Sequence, residues 1–135
     1  MPTELELELE QERLQQLHER GDPTSLQYAD RLQKEYHVRQ MDGLAQDVYR
    51  AGKGKDPKDQ DPNRPPQGWT RLSEHPEMMR KYAAQLHTTP QQLLRTLHPN
   101  ESGFRAEIYL PDAALQQAGY KPTLAFKGSS GEVMT

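Results

Sequence analysis

Cysteine is absent from the 135 residues, which excludes disulfide bridges, thiolate nucleophiles and thiolate metal ligands. Long hydrophobic runs are absent too: no stretch approaches the ~18 consecutive apolar residues of a membrane-spanning helix. An excess of positive charge is also missing. Against 17 Lys and Arg stand 20 Asp and Glu, a net charge of -3 without a basic cluster, so neither nucleic acid nor an anionic membrane surface is expected as the main partner. Aromatic residues are few at 7%, with 1 Trp and 2 Phe, and hydrophobic residues make up 33% of the chain. Adding glycine brings the apolar share to roughly 40%, against ~45–50% in ordinary soluble domains. A small core is therefore expected, with part of the chain solvated or buried on a partner. Met1-Pro2-Thr3 and the Glu/Leu alternation after it lack the basic and apolar regions of a secretory signal. The expectation is synthesis in the cytoplasm without a cleavable signal, with any export left to a specialised secretion machine.

What is present is organised in three stretches: a helical segment over 1–52, a mobile linker or loop over 53–67, and a second unit over 68–135. From Glu4 to Arg20, Leu falls at 5, 7, 9, 14 and 17 among Glu, Gln and Arg. The alternation at 5, 7 and 9 alone would suit a strand, but these residue types favour helix and the later leucines continue at helical spacing. Gly21-Asp22-Pro23 stops that helix. Asp22 or Thr24 is placed to cap the next, in which Leu26, Ala29, Leu32 and Tyr36 form one stripe. A third helix is expected from about Met41 to Arg50, ended by Gly52. Ala51 to Gln67 is a run of Gly, Pro, Asp and Lys with prolines at 57, 62, 65 and 66, and no position in it can anchor a core.

Beyond it, Trp69 is a candidate core anchor, and Tyr28, Tyr36 and Tyr49 are read the same way with their hydroxyls at the rim. Ser73 is a candidate cap for a helix from Pro76 to Leu86. Thr89-Pro90-Gln91-Gln92 is a capping pattern with Pro at the first helical position, and its helix should reach Leu97. Phe104 to Leu110 alternates Phe, Ala, Ile and Leu with Arg, Glu and Tyr, the pattern of a strand with one buried and one polar face. Thr123 to Lys127 is a second strand. The connection from Pro111 to Pro122 has room for a helical turn over Asp112 to Gln117.

Metal chemistry finds little support. The histidines, at 18, 37, 75, 87 and 98, include no pair at helical zinc spacing, and positions at helix ends or in solvent fit them better. Asp59-x-Asp61-x-Asn63 copies the opening of a calcium loop. Yet Arg64 stands where that loop needs Gly, and Thr70 where it needs the bidentate Glu. No cofactor is expected.

Four segments, in chain order, resemble one family: Leu44-Ala45-Gln46-Asp47-Val48-Tyr49, Gly68-Trp69-Thr70-Arg71-Leu72-Ser73, Ser102-Gly103-Phe104-Arg105-Ala106-Glu107-Ile108-Tyr109, and Thr123-Leu124-Ala125-Phe126-Lys127-Gly128-Ser129-Ser130. Together they look like the N-terminal part of bacterial lipase-like proteins related to the class 3 lipases, including phospholipase effectors. The resemblance spans about residues 40 to 130. It implies an α+β arrangement here, with N-terminal helices and a β-hairpin that would form the first strands of an α/β-hydrolase sheet. In such lipases the Thr or Ser directly after the strand-end Gly is the oxyanion residue, which corresponds to Ser129 with Gly128 forming the turn. An acyl-transfer enzyme needs preorganised N–H and O–H donors at such a place, and Ser offers both. On spacing alone, Gly128 to Gly131 is a flexible turn.

The family's nucleophile lies in a Gly-x-Ser-x-Gly elbow followed by Asp and His. No such elbow occurs in the 135 residues: Gly128-Ser129-Ser130-Gly131 is one residue too short. The resemblance therefore implies a lipid substrate, a triad on another segment or chain, and no hydrolysis by these residues alone. It also implies effector-type partners, such as an immunity protein or a secretion chaperone. A different class of function would be a non-enzymatic helical module binding a partner through Leu5 to Tyr49.

Overall fold

The computed structural model describes residues 4–53, 65–99, 105–126 and 133–134. Asp59, Asp61 and Asn63, which copy the opening of a calcium loop, most of the expected linker over 53–67, and the turn residues Gly128, Ser129 and Ser130 lie outside them. Two helices open the chain, α1 (Glu4–Arg20) and α2 (Pro23–Lys53). Gly21, at φ 70°, makes the turn between them. Asp22 is the cap of α2: one carboxylate oxygen accepts the Ser25 backbone N–H at 3.0 Å and the other the Ser25 hydroxyl at 2.7 Å, satisfying a donor that the first helical turn leaves open.

The second and third helices expected from the sequence are one. The α2 helix runs for 31 residues, about 46 Å, straight through Gly43. Gln40 faces inward and is 1% exposed. It continues a buried row of Ala29, Tyr36, Gln40, Met41, Leu44 and Val48 at helical spacing. The first half of this row packs on Leu14 of α1, and the second half packs on a sheet.

The sheet is antiparallel and four-stranded, ordered β1 (Trp69–Arg71), β2 (Ala106–Pro111), β3 (Thr123–Phe126) and β4 (Val133–Met134). The fold is α+β. Strand β1 is additional to the two expected strands; its three residues pair with Tyr109 to Pro111, which gives β2 a neighbour on each side. A 3₁₀ turn (Leu72–Glu74) follows β1, then α3 (Pro76–Gln85) and α4 (Pro90–Leu97). Thr89 caps α4 by accepting the Gln92 N–H at 3.1 Å. Ser73 caps nothing: it sits inside the 3₁₀ turn, and His75 precedes α3 without a side-chain cap bond. The expected helical turn is α5 (Ala113–Gln117), capped by Asp112, whose carboxylate accepts the Leu115 N–H at 2.9 Å.

The expected polar face of β2 is buried. Glu107 is 2% exposed and Tyr109 fully enclosed, because α2 lies over that face with Met41, Leu44 and Val48 while α3 and α4 cover the other around Ala106. A half-buried strand shows alternation only when one face meets water; here the polar residues meet partners inside. Trp69 is buried in the core shared by α2 and the sheet, as expected of an anchor. Tyr36 is also buried, whereas Tyr28 and Tyr49 are exposed; they lie on the outer side of α2 and are not core residues.

Gly68 holds the corner before β1. Its φ is 90°, its carbonyl accepts the Asp112 N–H at 2.8 Å, and a Cβ there would fall 2.7 Å from Leu115 Cδ1 and 3.2 Å from Asp112 Oδ2. Gly119, at φ 96°, has nothing within 4 Å of an added Cβ. Gly68→Ala is therefore expected to destabilise by about 1–3 kcal/mol through strain plus overlap, and Gly119→Ala by less, through strain alone. Urea unfolding of the two variants checks this; equal losses would show that the space against Leu115 does not matter.

Candidate functional site

Three of the four family-like segments meet at one buried carboxylate. Asp47 lies on the inner stripe of α2 between Leu44 and Val48. Arg71 and Tyr109 are directly opposed across β1 and β2, so both side chains leave the same sheet face and reach the same point. Asp47 Oδ1 accepts from Arg71 Nη2 at 2.7 Å, and Oδ2 accepts from Arg71 Nε at 2.9 Å and from the Tyr109 hydroxyl at 2.5 Å. The guanidinium is thus held in a two-pronged fork, the strongest geometry open to this pair. Arg71 also donates from Nη1 to Glu74 at 2.8 Å. The side chains of Arg71 and Asp47 are only 8% and 3% exposed. One turn before Leu44 on α2, Gln40 Oε1 accepts the Trp69 indole N–H at 2.9 Å, a second polar tie between the same helix and strand.

A charge this deep is costly unless paired and hydrogen-bonded, and Asp47 receives three donors. The hydrogen bond from Arg71 to Asp47 lifts the guanidinium further above its ordinary range, against the effect of burial. Burial, and then the bond to Asp47, pushes the Tyr109 phenol far above its ordinary value. At neutral pH Arg71 therefore keeps its charge and Tyr109 its proton. The cluster is a clasp between helix and sheet, without a free base.

A second polar cluster surrounds Glu107. Its carboxylate accepts the Ser73 hydroxyl, the Ser73 backbone N–H at 3.3 Å and the Ile108 N–H at 3.1 Å. His98, closing α4, brings Nε2 to 3.7 Å from the same carboxylate. Ser, Glu and His are therefore close, but in the wrong order for nucleophilic catalysis. The base must touch the serine and the acid must orient the base, whereas here the carboxylate stands between them and takes the serine proton's bond itself.

The other histidines serve local structure. His18 Nδ1 lies 2.7 Å from the Leu14 carbonyl, His37 stacks on Tyr120, and His75 and His87 flank the two ends of α3. Among the described residues no group of three or more His, Asp or Glu could hold a metal ion. The candidate oxyanion residues follow β3, whose Thr123 to Phe126 is paired along β2 and, at Thr123 and Leu124, to β4.

Asp47, Arg71 and Tyr109 stand in the sequence as landmarks of the resemblance, with no role attached. The usable signal was Asp47 itself: a carboxylate on the apolar stripe of a helix requires a buried cation or several donors.

Residues 40–134 match the family model of the Tle-like phospholipase domain, a phospholipase-like family. The chain belongs to that family. No curated protein and no solved structure matches it. The matched span begins at Gln40, the first residue of α2 that ties to the sheet, and takes in Asp47, Arg71 and Tyr109.

The proton held by Tyr109 has a measurable consequence. In the unfolded chain a tyrosine ionises near pH ~10, while the native phenol keeps its proton well beyond that. Above that pH the unfolded state binds fewer protons than the native state, so stability that is full below pH ~10 falls as pH rises. Tyr120, pushed up to about 12 chiefly by burial, acts in the same direction. Tyr109→Phe should flatten the loss of unfolding free energy above pH ~10, measured by urea titration at a series of pH values. A slope equal to that of the native protein would show that Tyr109 titrates freely in the fold.

Proposed function

We propose that these residues form the front of a phospholipase domain: a helical brace and the first antiparallel strands of an α/β-hydrolase sheet. In this reading Ser129 supplies the oxyanion donor, and the nucleophile, acid and base come from another segment or chain. The observation that carries the reading is the family match over residues 40–134. The geometry supports it in two ways. The family-like segments, where described, share one core of α2, β1, β2 and β3, and Gly128 and Ser129 follow β3 in the sequence. The C-terminal half of α2 also shares its core with the sheet, which speaks against an independent helical binding module.

The substrate class is a phospholipid ester. The protein is an effector that is made in the cytoplasm, delivered by a specialised secretion machine and kept in check by an immunity protein or chaperone. Nucleic acid has no part in this function. The reaction needs no cofactor from these residues. Acyl transfer places negative charge on the carbonyl oxygen only in the transition state, so a hydroxyl and an N–H aimed there lower the barrier without tightening substrate binding.

In the complete enzyme Ser129→Ala should cut kcat on phospholipid vesicles by ~100-fold or more and leave KM nearly unchanged. Ser129→Thr should retain activity because the hydroxyl is kept, and Ser130→Ala should matter far less. Equal losses for Ser129→Ala and Ser130→Ala, or a loss confined to KM, would assign the turn to pocket shape. The 135 residues alone should hydrolyse no ester; turnover that Ser129→Ala abolishes would contradict the placement of the triad elsewhere.

A further inference from the structure

Helix α1 is acidic and carries leucine on two sides. Leu7 and Leu14 are buried against the body of the protein, while Leu5 and Leu9, one turn apart, are 64% and 55% exposed. Beside them on the outer side stand Glu8 and Glu12, also one turn apart and exposed. Like charges at this spacing repel and weaken a helix. Glu10 is relieved by Arg39 at 3.3 Å, but Glu8 and Glu12 have no cationic partner among the described residues. Next to this face runs a groove of about 510 Å³ between α1 and α5. Glu8 and Glu12 line one wall, and Ala113, Ala114 and Ala118 line the other. The alanines let another backbone approach closely, and the glutamates set the charge that it must carry.

We propose that the outer face of α1 and this groove dock a basic amphipathic helix of a partner protein. Its apolar residues would lie on Leu5, Leu9 and the alanines, with Lys or Arg reaching Glu8 and Glu12. Charge selects this occupant. A second copy docking through the same face would set glutamates against glutamates, and an anionic lipid surface would be repelled. The surface lies outside the polar clasp and is independent of ester hydrolysis.

The test is calorimetric titration of the full chain with a synthetic helical peptide of Leu and Lys, about four turns long, in physiological salt. A control peptide keeps every Lys and replaces Leu by Ser. The Leu/Lys peptide should bind, and the control should bind at least about tenfold more weakly. Leu5→Ser with Leu9→Ser should weaken binding by a similar factor at unchanged helical circular dichroism, since both side chains are exposed. Glu8→Gln with Glu12→Gln should weaken binding and reduce its salt dependence. Equal binding of both peptides, or full affinity in the leucine double variant, would overturn the proposal. So would a dimer in sedimentation that the leucine substitutions dissociate, which would make a second copy the occupant.

Discussion

The carboxylate of Asp47 is where the helical and sheet halves of this protein are joined. It is buried where α2 packs on the sheet, and donors from the sheet answer its charge. The fork from Arg71 and the hydroxyl from Tyr109 supply them from two neighbouring strands at once. Satisfying one group thus fixes the rotation of a 31-residue helix and the lateral alignment of β1 on β2. Apolar contacts among Met41, Leu44, Val48, Leu115 and Ala125 supply the non-directional attraction. The polar tie selects one arrangement among the several that such contacts would tolerate.

The burial of both sheet faces follows from the same constraint. With α2 drawn onto one face and α3 and α4 on the other, the outward-reading residues of β2 become interior residues and need partners of their own. Glu107 finds them in Ser73 and in the backbone of the 3₁₀ turn. The residues that mark the phospholipase-like family in this chain are thus mostly structural. Asp47, Trp69, Arg71 and Tyr109 hold the frame, and Ser129, the oxyanion donor proposed above, follows β3 in the sequence. Fold does not by itself confer activity; here the frame and the proposed reacting group are separate parts of one sequence.

Much of the frame was legible in the sequence because local rules decided it. The caps at Asp22 and Thr89, the strands around Ile108 and Leu124, and the short α5 all follow from side-chain chemistry over a few residues. The continuity of α2 was not legible. Gln40 is polar, and only the indole of Trp69, 29 residues away, makes its inward position favourable. Strand β1 was hidden for a similar reason, since three residues carry no periodicity and their strand character comes from pairing with β2. The polar face of β2 was misread because alternation reports polarity, and solvent is only one of the partners that polarity can find. Asp47 gave the clearest unheeded signal, an acid on an apolar stripe.

The most direct test of the account is a double-mutant cycle on Asp47 and Arg71, read by urea unfolding. If the pair is the clasp described here, each single change, Asp47→Ala or Arg71→Ala, takes from a buried charge its two-pronged partner and costs about 3–5 kcal/mol. The double variant should then cost scarcely more than either single one, because the second change removes the charge that lost its main partner in the first. Two small losses that simply add would contradict it, and would leave the apolar contacts and the Trp69–Gln40 hydrogen bond to join helix and sheet.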